Sequence, residues 1–151
     1  MKYFIDEIEE SFLTKNDNQW SKNCKRYWEQ FEQIADEFPP LFVQVYRKTA
    51  FHDFDIISTN WYLDINRRKP VFLIQIQMQY DDNIYTVKYY NISNMTINFE
   101  KASMGQSNNY RYGEILPVND NRFSHEIAFG ENSSIYFEFR KLTFNIRKLR
   151  T

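Results

Sequence analysis

The stretch Val71-Phe72-Leu73-Ile74-Gln75-Ile76-Gln77-Met78-Gln79-Tyr80 decides the fold. Phe72, Ile74, Ile76, Met78 and Tyr80 fall on one face, and Gln75, Gln77 and Gln79 on the other. A strand has a side-chain period of two, so this reads as a strand packed on one side and wet on the other. The same alternation predicts strands over about 54–65, 84–92, 94–100, 110–117, 122–129 and 134–148, which with 71–80 makes about seven. Turn chemistry separates them, notably Asn66 to Pro70, Asp81-Asp82-Asn83, Ser93-Asn94, Val118 to Asn121 and Gly130 to Ser133. In the last segment the apolar phase slips from the odd positions Ile135, Phe137 and Phe139 to the even positions Leu142, Phe144 and Ile146. One extra residue near Arg140-Lys141 does this, which predicts a bulge or a bend. Residues 102 to 109 read as a polar, mobile loop.

Upstream the period is helical. Ile5, Ile8, Phe12 and Leu13 predict a short amphipathic helix over about 4–14. Asp17 or Asn18 is the expected N-cap of a second helix. Its apolar stripe runs through Trp20, Cys24, Tyr27, Trp28, Phe31, Ile34, Ala35 and Phe38. Pro39-Pro40 is expected to stop it, since proline has no amide donor and restricts the residue before it. Leu41 to Arg47 is compatible with a last helical turn or an extended lead-in. The expected architecture is α+β: N-terminal helices followed by a mainly antiparallel β-sandwich or half-open barrel of about seven strands. It is read as a single domain, residues 1–50 forming a helical lid and 51–151 an antiparallel β body.

Bulk composition narrows the function classes. The 151 residues carry 19 basic and 20 acidic side chains, so no global field draws nucleic acid or an anionic membrane. Acids crowd the start and bases the finish; the latter reads as a charged edge that deters strand pairing. Cys24 is the only cysteine, which excludes an intramolecular disulfide and thiolate-type structural zinc. The start turns acidic where a signal peptide would be apolar, and no run is long enough to span a bilayer. The expected location is the cytoplasm. Three scattered glycines leave no phosphate-binding loop.

Three groups of residues are candidate sites. His52-Asp53 stands where helix gives way to sheet; such a dipeptide serves metal-dependent phosphohydrolases, and equally serves a turn in which Asp53 accepts backbone amides. Glu114 and His125 lie on consecutive strands, and folding about Asn119-Asp120 makes them near-opposite partners, a carboxylate–imidazole pair. Convergence of His52, Asp53, Glu114 and His125 would offer ligands for a divalent metal. The third group is Tyr85, Tyr89, Tyr90, Tyr110 and Tyr112 with Arg111, which on an exposed sheet face would form an aromatic contact surface. The binding residues expected from sequence are therefore His52, Asp53, Tyr110, Arg111, Tyr112, Glu114 and His125, with no cofactor or metal assigned.

The start Met1-Lys2-Tyr3-Phe4, the helix Tyr27-Trp28-Glu29-Gln30-Phe31, the Phe38-Pro39-Pro40 break and the Phe51-His52-Asp53 step together resemble a group of small uncharacterised Gram-positive bacterial proteins. That group opens with a Met-Lys-Tyr-Phe helix, carries a Leu/Phe-His-Asp step before its strands, and has a Glu-bearing strand that Tyr112-Gly113-Glu114-Ile115 matches. The layout is also similar to small cytoplasmic immunity proteins encoded beside bacterial polymorphic toxins. The resemblance implies a bacterial protein that neutralises a protein partner. The chain departs from the pattern in its Asn-rich 102–109 loop and in lacking glycines at several turns. The expected function is a non-catalytic protein-binding module, with no membrane or nucleic-acid partner. The alternatives are a metal-assisted hydrolase using His52, Asp53, Glu114 and His125, and a carrier of small apolar ligands.

Overall fold

The computed structural model describes residues 2–4, 17–66, 68–98, 109–119, 121–129 and 133–149. The helix expected over 4–14 and the loop expected over 102–109 lie, apart from Phe4 and Asn109, outside the described residues. The element order is α1 (Asp17–Glu32), a 3-10 turn (Ala35–Glu37), α2 (Pro40–Thr49), then β1 (Asp55–Asp64), β2 (Val71–Tyr80), β3 (Asn83–Tyr90), β4 (Ser93–Asn98), β5 (Tyr110–Asn119), β6 (Arg122–Phe129), β7 (Ser133–Phe139) and β8 (Lys141–Lys148). All paired strands are antiparallel and form two four-stranded sheets, ordered β1-β2-β3-β8 and β4-β7-β6-β5.

Helices then strands is the expected plan, but the described residues hold eight strands rather than seven. The expected single strand over 134–148 is two. The phase slip at Arg140 is where the chain leaves one sheet for the other: Phe139 ends β7, Lys141 begins β8, and the Arg140 amide donates to the Tyr90 carbonyl at 3.0 Å. Opposite it, Asn91 takes a left-handed φ of 58° and carries the chain from β3 to β4. Because β3 pairs with β8 and β4 with β7, one long ribbon bends at this corner and belongs to both sheets. Far from that corner the start of β1 meets β5. Asp55 bridges Asn109, and the Tyr110 amide donates to the Phe54 carbonyl at 2.8 Å.

The decisive stretch behaves as its pattern requires. Ile74, Ile76 and Met78 are buried between the sheets, and Tyr80 stacks on Phe54 with ring centroids 4.5 Å apart. Gln77 faces outward in a polar ladder with Ser58 and Thr86.

The helices correct one expectation. Helix α1 ends at Glu32, before the prolines, by tightening into i→i−3 bonds at Gln33 and Ile34. Pro39-Pro40 does not terminate a helix; Pro40 begins α2, at a position where its missing amide costs nothing. Phe42, Val43 and Tyr46 form the buried stripe of α2, and Ala50 closes it in the left-handed conformation, φ 47°. The helical layer fills one opening of the sandwich. Phe38 packs on Phe123 and Phe139 of the second sheet, while Phe42 packs on Phe144 of the first. No helix among the described residues is long and apolar enough to cross a membrane.

Candidate functional site

The residues singled out from sequence separate into two groups on opposite faces of β5. Register explains the split. Ile115, not Glu114, lies opposite His125, and Glu114 lies opposite Glu126. A one-residue difference in register reverses every side chain, so the expected Glu114–His125 pair does not form.

His125 faces the interior. It is fully buried, its Nδ1 meets the Tyr89 hydroxyl at 2.8 Å and its Nε2 meets the Tyr110 hydroxyl at 3.0 Å. Burial pushes its pKa down to about 3, so the ring stays neutral and both nitrogens are committed to tyrosines. Gly113 makes this arrangement possible. A Cβ there would stand 1.7 Å from the Tyr110 hydroxyl and 3.0 Å from His125 Nε2. The bulge between Tyr110 and Tyr112 turns Tyr110 onto the same face as Gly113. Tyr89 and Tyr110 are buried, which corrects their expected place in an exposed aromatic surface.

Two more tyrosines seal the outer edge of β5. The Ile115 amide donates to the Tyr27 hydroxyl at 3.0 Å, and the Tyr46 hydroxyl donates to the Gly113 carbonyl at 2.9 Å. The two hydroxyls are 2.6 Å apart, so Tyr27 donates to Tyr46. An edge strand that would otherwise offer bare backbone groups is thus covered by the helices.

Glu114 faces the other way and is 1% exposed. Its two carboxylate oxygens accept the backbone amides of Lys2 and Tyr3 at 2.7 and 2.6 Å. Burial raises its pKa, and the two amides pull it partly back. Tyr112 sits on the same face, against Phe4, Trp20 and the ring of His52. His52 Nδ1 lies 2.9 Å from an Asp53 carboxylate oxygen on a surface turn where Ala50, Phe51 and Asp53 all have positive φ. This turn is held by β5, through the Asp53 amide to the Tyr110 carbonyl at 3.1 Å. His52, Asp53, Tyr112 and Glu114 therefore share one flank, and His125 and Tyr110 lie in the core. Arg111 occupies the bulge and is half-buried. The four-residue metal set does not assemble: His125 is on the far face with both nitrogens engaged. Among the described residues no group of three or more His, Cys, Asp or Glu is placed to hold a metal ion.

The feature that sequence reasoning missed is a cavity of about 320 Å³ between the sheets. Ile56, Ile57, Thr59 and Trp61 of β1 form one wall. Ile127 and Phe129 of β6 with Ile135 of β7 form the other, and Ile76 and Ile97 contribute from β2 and β4. It lies beside the free edges of β1 and β4, each of which has one partner strand along its length. Among the described residues no helical layer intervenes here, and Trp61 is 51% exposed. Thr59 and Trp61 pair with the buried Ile76 and Ile74, so they project from the interior face of their sheet. A bulge between Ile56 and Ser58 inserts Ile57 and lets two adjacent isoleucines line the same space. The signal in the sequence was that Ile56-Ile57 doublet, which breaks a strict alternation.

Comparison of the chain with protein-family models, with curated proteins and with solved structures gives no match.

Proposed function

We propose that the protein is a non-catalytic binding protein that takes a small apolar molecule into the cavity between β1, β4, β6 and β7. One observation carries this reading: a preformed space of about 320 Å³, within the range of small-ligand sites, has no charged residue in its lining among the described residues. An engineered cavity of roughly 150 Å³ accommodates benzene, so this one suits about a dozen non-hydrogen atoms. Burying about ten methylenes is worth roughly 8 kcal/mol before the cost of association, so the dissociation constant is no tighter than about 1 μM.

Trp61 at the wall supplies the assay. Titration with decan-1-ol or naphthalene is expected to shift its emission to the blue saturably, and Trp61→Phe removes the shift. Ile135→Trp, which fills the cavity, is expected to abolish binding while keeping the fold. No saturable binding of either probe to the native protein, or unchanged binding to Ile135→Trp, refutes the reading.

A protein partner is the second reading, and the exposed β1 edge favours it. Ile57, Trp61, Tyr62, Leu63 and Ile65 are all solvent-exposed along one free strand and its turn. Such an edge suits addition of an extended strand from a partner, as an immunity-type neutralising protein would use. Co-purification of a partner lost in Trp61→Lys, without any affinity for the small probes, would favour this over the carrier.

A further inference from the structure

Resting on the cavity reading above, we infer that the ligand is an uncharged amphiphile, a chain or fused ring bearing one hydroxyl or carbonyl, held by Thr59 and discriminated from fatty carboxylates. Among the described residues the polar side-chain groups of the lining are the Ser58 and Thr59 hydroxyls and the Trp61 indole N–H. Ser58 is turned away: its hydroxyl donates to Gln77 Oε1 at 3.0 Å on the outer face. Thr59 is paired with Ile76, whose side chain is buried, so its hydroxyl lies on the interior face, where it is the one described lining side-chain group able to accept as well as donate, the Trp61 indole N–H being a donor alone. A hydroxyl both donates and accepts, and therefore matches an alcohol or a carbonyl equally.

Charge works against an acid. Among the described residues no Lys, Arg or His lines the cavity. β1 has no Lys, Arg or His, and its two carboxylates, Asp55 and Asp64, stand one at each end of the strand. A carboxylate pushed inward loses its hydration without a cationic partner among the described lining residues. An alcohol loses far less, because Thr59 replaces one of its water contacts.

The experiment compares decan-1-ol, decanoate at pH 8 and naphthalene on the native protein and on Thr59→Val, read by Trp61 emission and by calorimetry. Decanol is expected to bind at least tenfold more tightly than decanoate. Thr59→Val, which keeps the shape and deletes the hydroxyl, is expected to weaken decanol about fivefold and to leave naphthalene within twofold. Decanoate binding within threefold of decanol, or decanol binding unchanged by Thr59→Val, overturns the inference while the cavity reading stands. Naphthalene binding without decanol does the same. Failure of all three probes on the native protein removes the cavity reading, and the inference with it. The decanoate comparison needs no variant, so it holds even if Thr59→Val folds poorly.

Discussion

Gly113→Ala adds one methyl group at the point where β5, Tyr110 and His125 converge. The new Cβ would lie 1.7 Å from the Tyr110 hydroxyl oxygen and 2.6 Å from its Cζ. Neither distance is tolerable, so the ring must move. Tyr110 is fully buried and packs edge-on against Phe51 at 5.8 Å between centroids, which leaves it little room. Moving it also breaks the hydrogen bond to His125 Nε2 and leaves that nitrogen buried without a partner. Overpacking costs about 1–3 kcal/mol. The orphaned nitrogen costs about 1–3 kcal/mol more. Against this, glycine to alanine stabilises by about 0.4–1 kcal/mol through the unfolded chain, because the Gly113 backbone is not in a conformation that excludes a side chain. The net expectation is a loss of about 1–5 kcal/mol, with its centre at about 3, a large share of the stability of a typical domain. Urea denaturation measures it as a lowered midpoint at unchanged slope. The same substitution in a Tyr110→Leu background is expected to cost below about 1 kcal/mol, since the clashing ring is gone. A cost under about 1 kcal/mol in the native background, or equal costs in both, refutes the reasoning.

Two further outcomes follow from the buried ionisable groups. His125 takes a proton near pH 6.5 when unfolded but resists it to about pH 3 when folded. Its contribution is therefore complete above pH 6.5 and is lost on acidification through that window, in total about 5 kcal/mol. Relative to His125→Gln, denaturation midpoints of the native protein are expected to fall more steeply between pH 6.5 and 3, and parallel curves would contradict it. Glu114 acts in the opposite sense, because its raised folded pKa favours the folded state as the group protonates. Glu114→Gln keeps one acceptor oxygen but sets an NH2 donor against the second of the Lys2 and Tyr3 amides, and is expected to cost about 1–2 kcal/mol. Hydrogen exchange at those two amides checks this, and unchanged protection counts against the contact.

Much of the fold was legible because the signals are local. Alternation over Val71–Tyr80 gave the strand and its buried face, and the slip at Arg140 marked a real event in the backbone. What that event was could not be read locally, since a bulge within one sheet and a passage between two sheets leave the same phase change. Pro39-Pro40 was misread for a similar reason: proline stops one helix or starts the next, and only the 3-10 turn over Ala35–Glu37 decides which. The candidate site failed on register. The turn pairs Asn119 with Arg122, which by itself would set Leu116 opposite His125, and the irregularity between Pro117 and Asn119 brings Ile115 there instead. Side chains on consecutive strands had the right chemistry and the wrong faces.

The position of the cavity follows from how the two sheets share their strands. The bent ribbon closes one corner, and the Asp55–Asn109 bridge draws β1 to β5 at another. That leaves two openings. Phe38 and Phe42 fill one with rings that touch both sheets, and Tyr27 and Tyr46 cap the backbone edge of β5 there. At the opening between β1 and β4 the described residues provide no such layer, although the interior face carries Thr59 and Trp61 outward as if it had a partner. A domain that spends sixteen residues of α1 and ten of α2 on one opening, and leaves apolar side chains exposed at the other, has an asymmetry that folding stability does not require. Burying Trp61 and Leu63 would be favourable, at roughly 25 cal/mol for each square ångström covered. Their exposure is what a binding role needs, because the free energy left ungained in the empty protein becomes available when a ligand arrives.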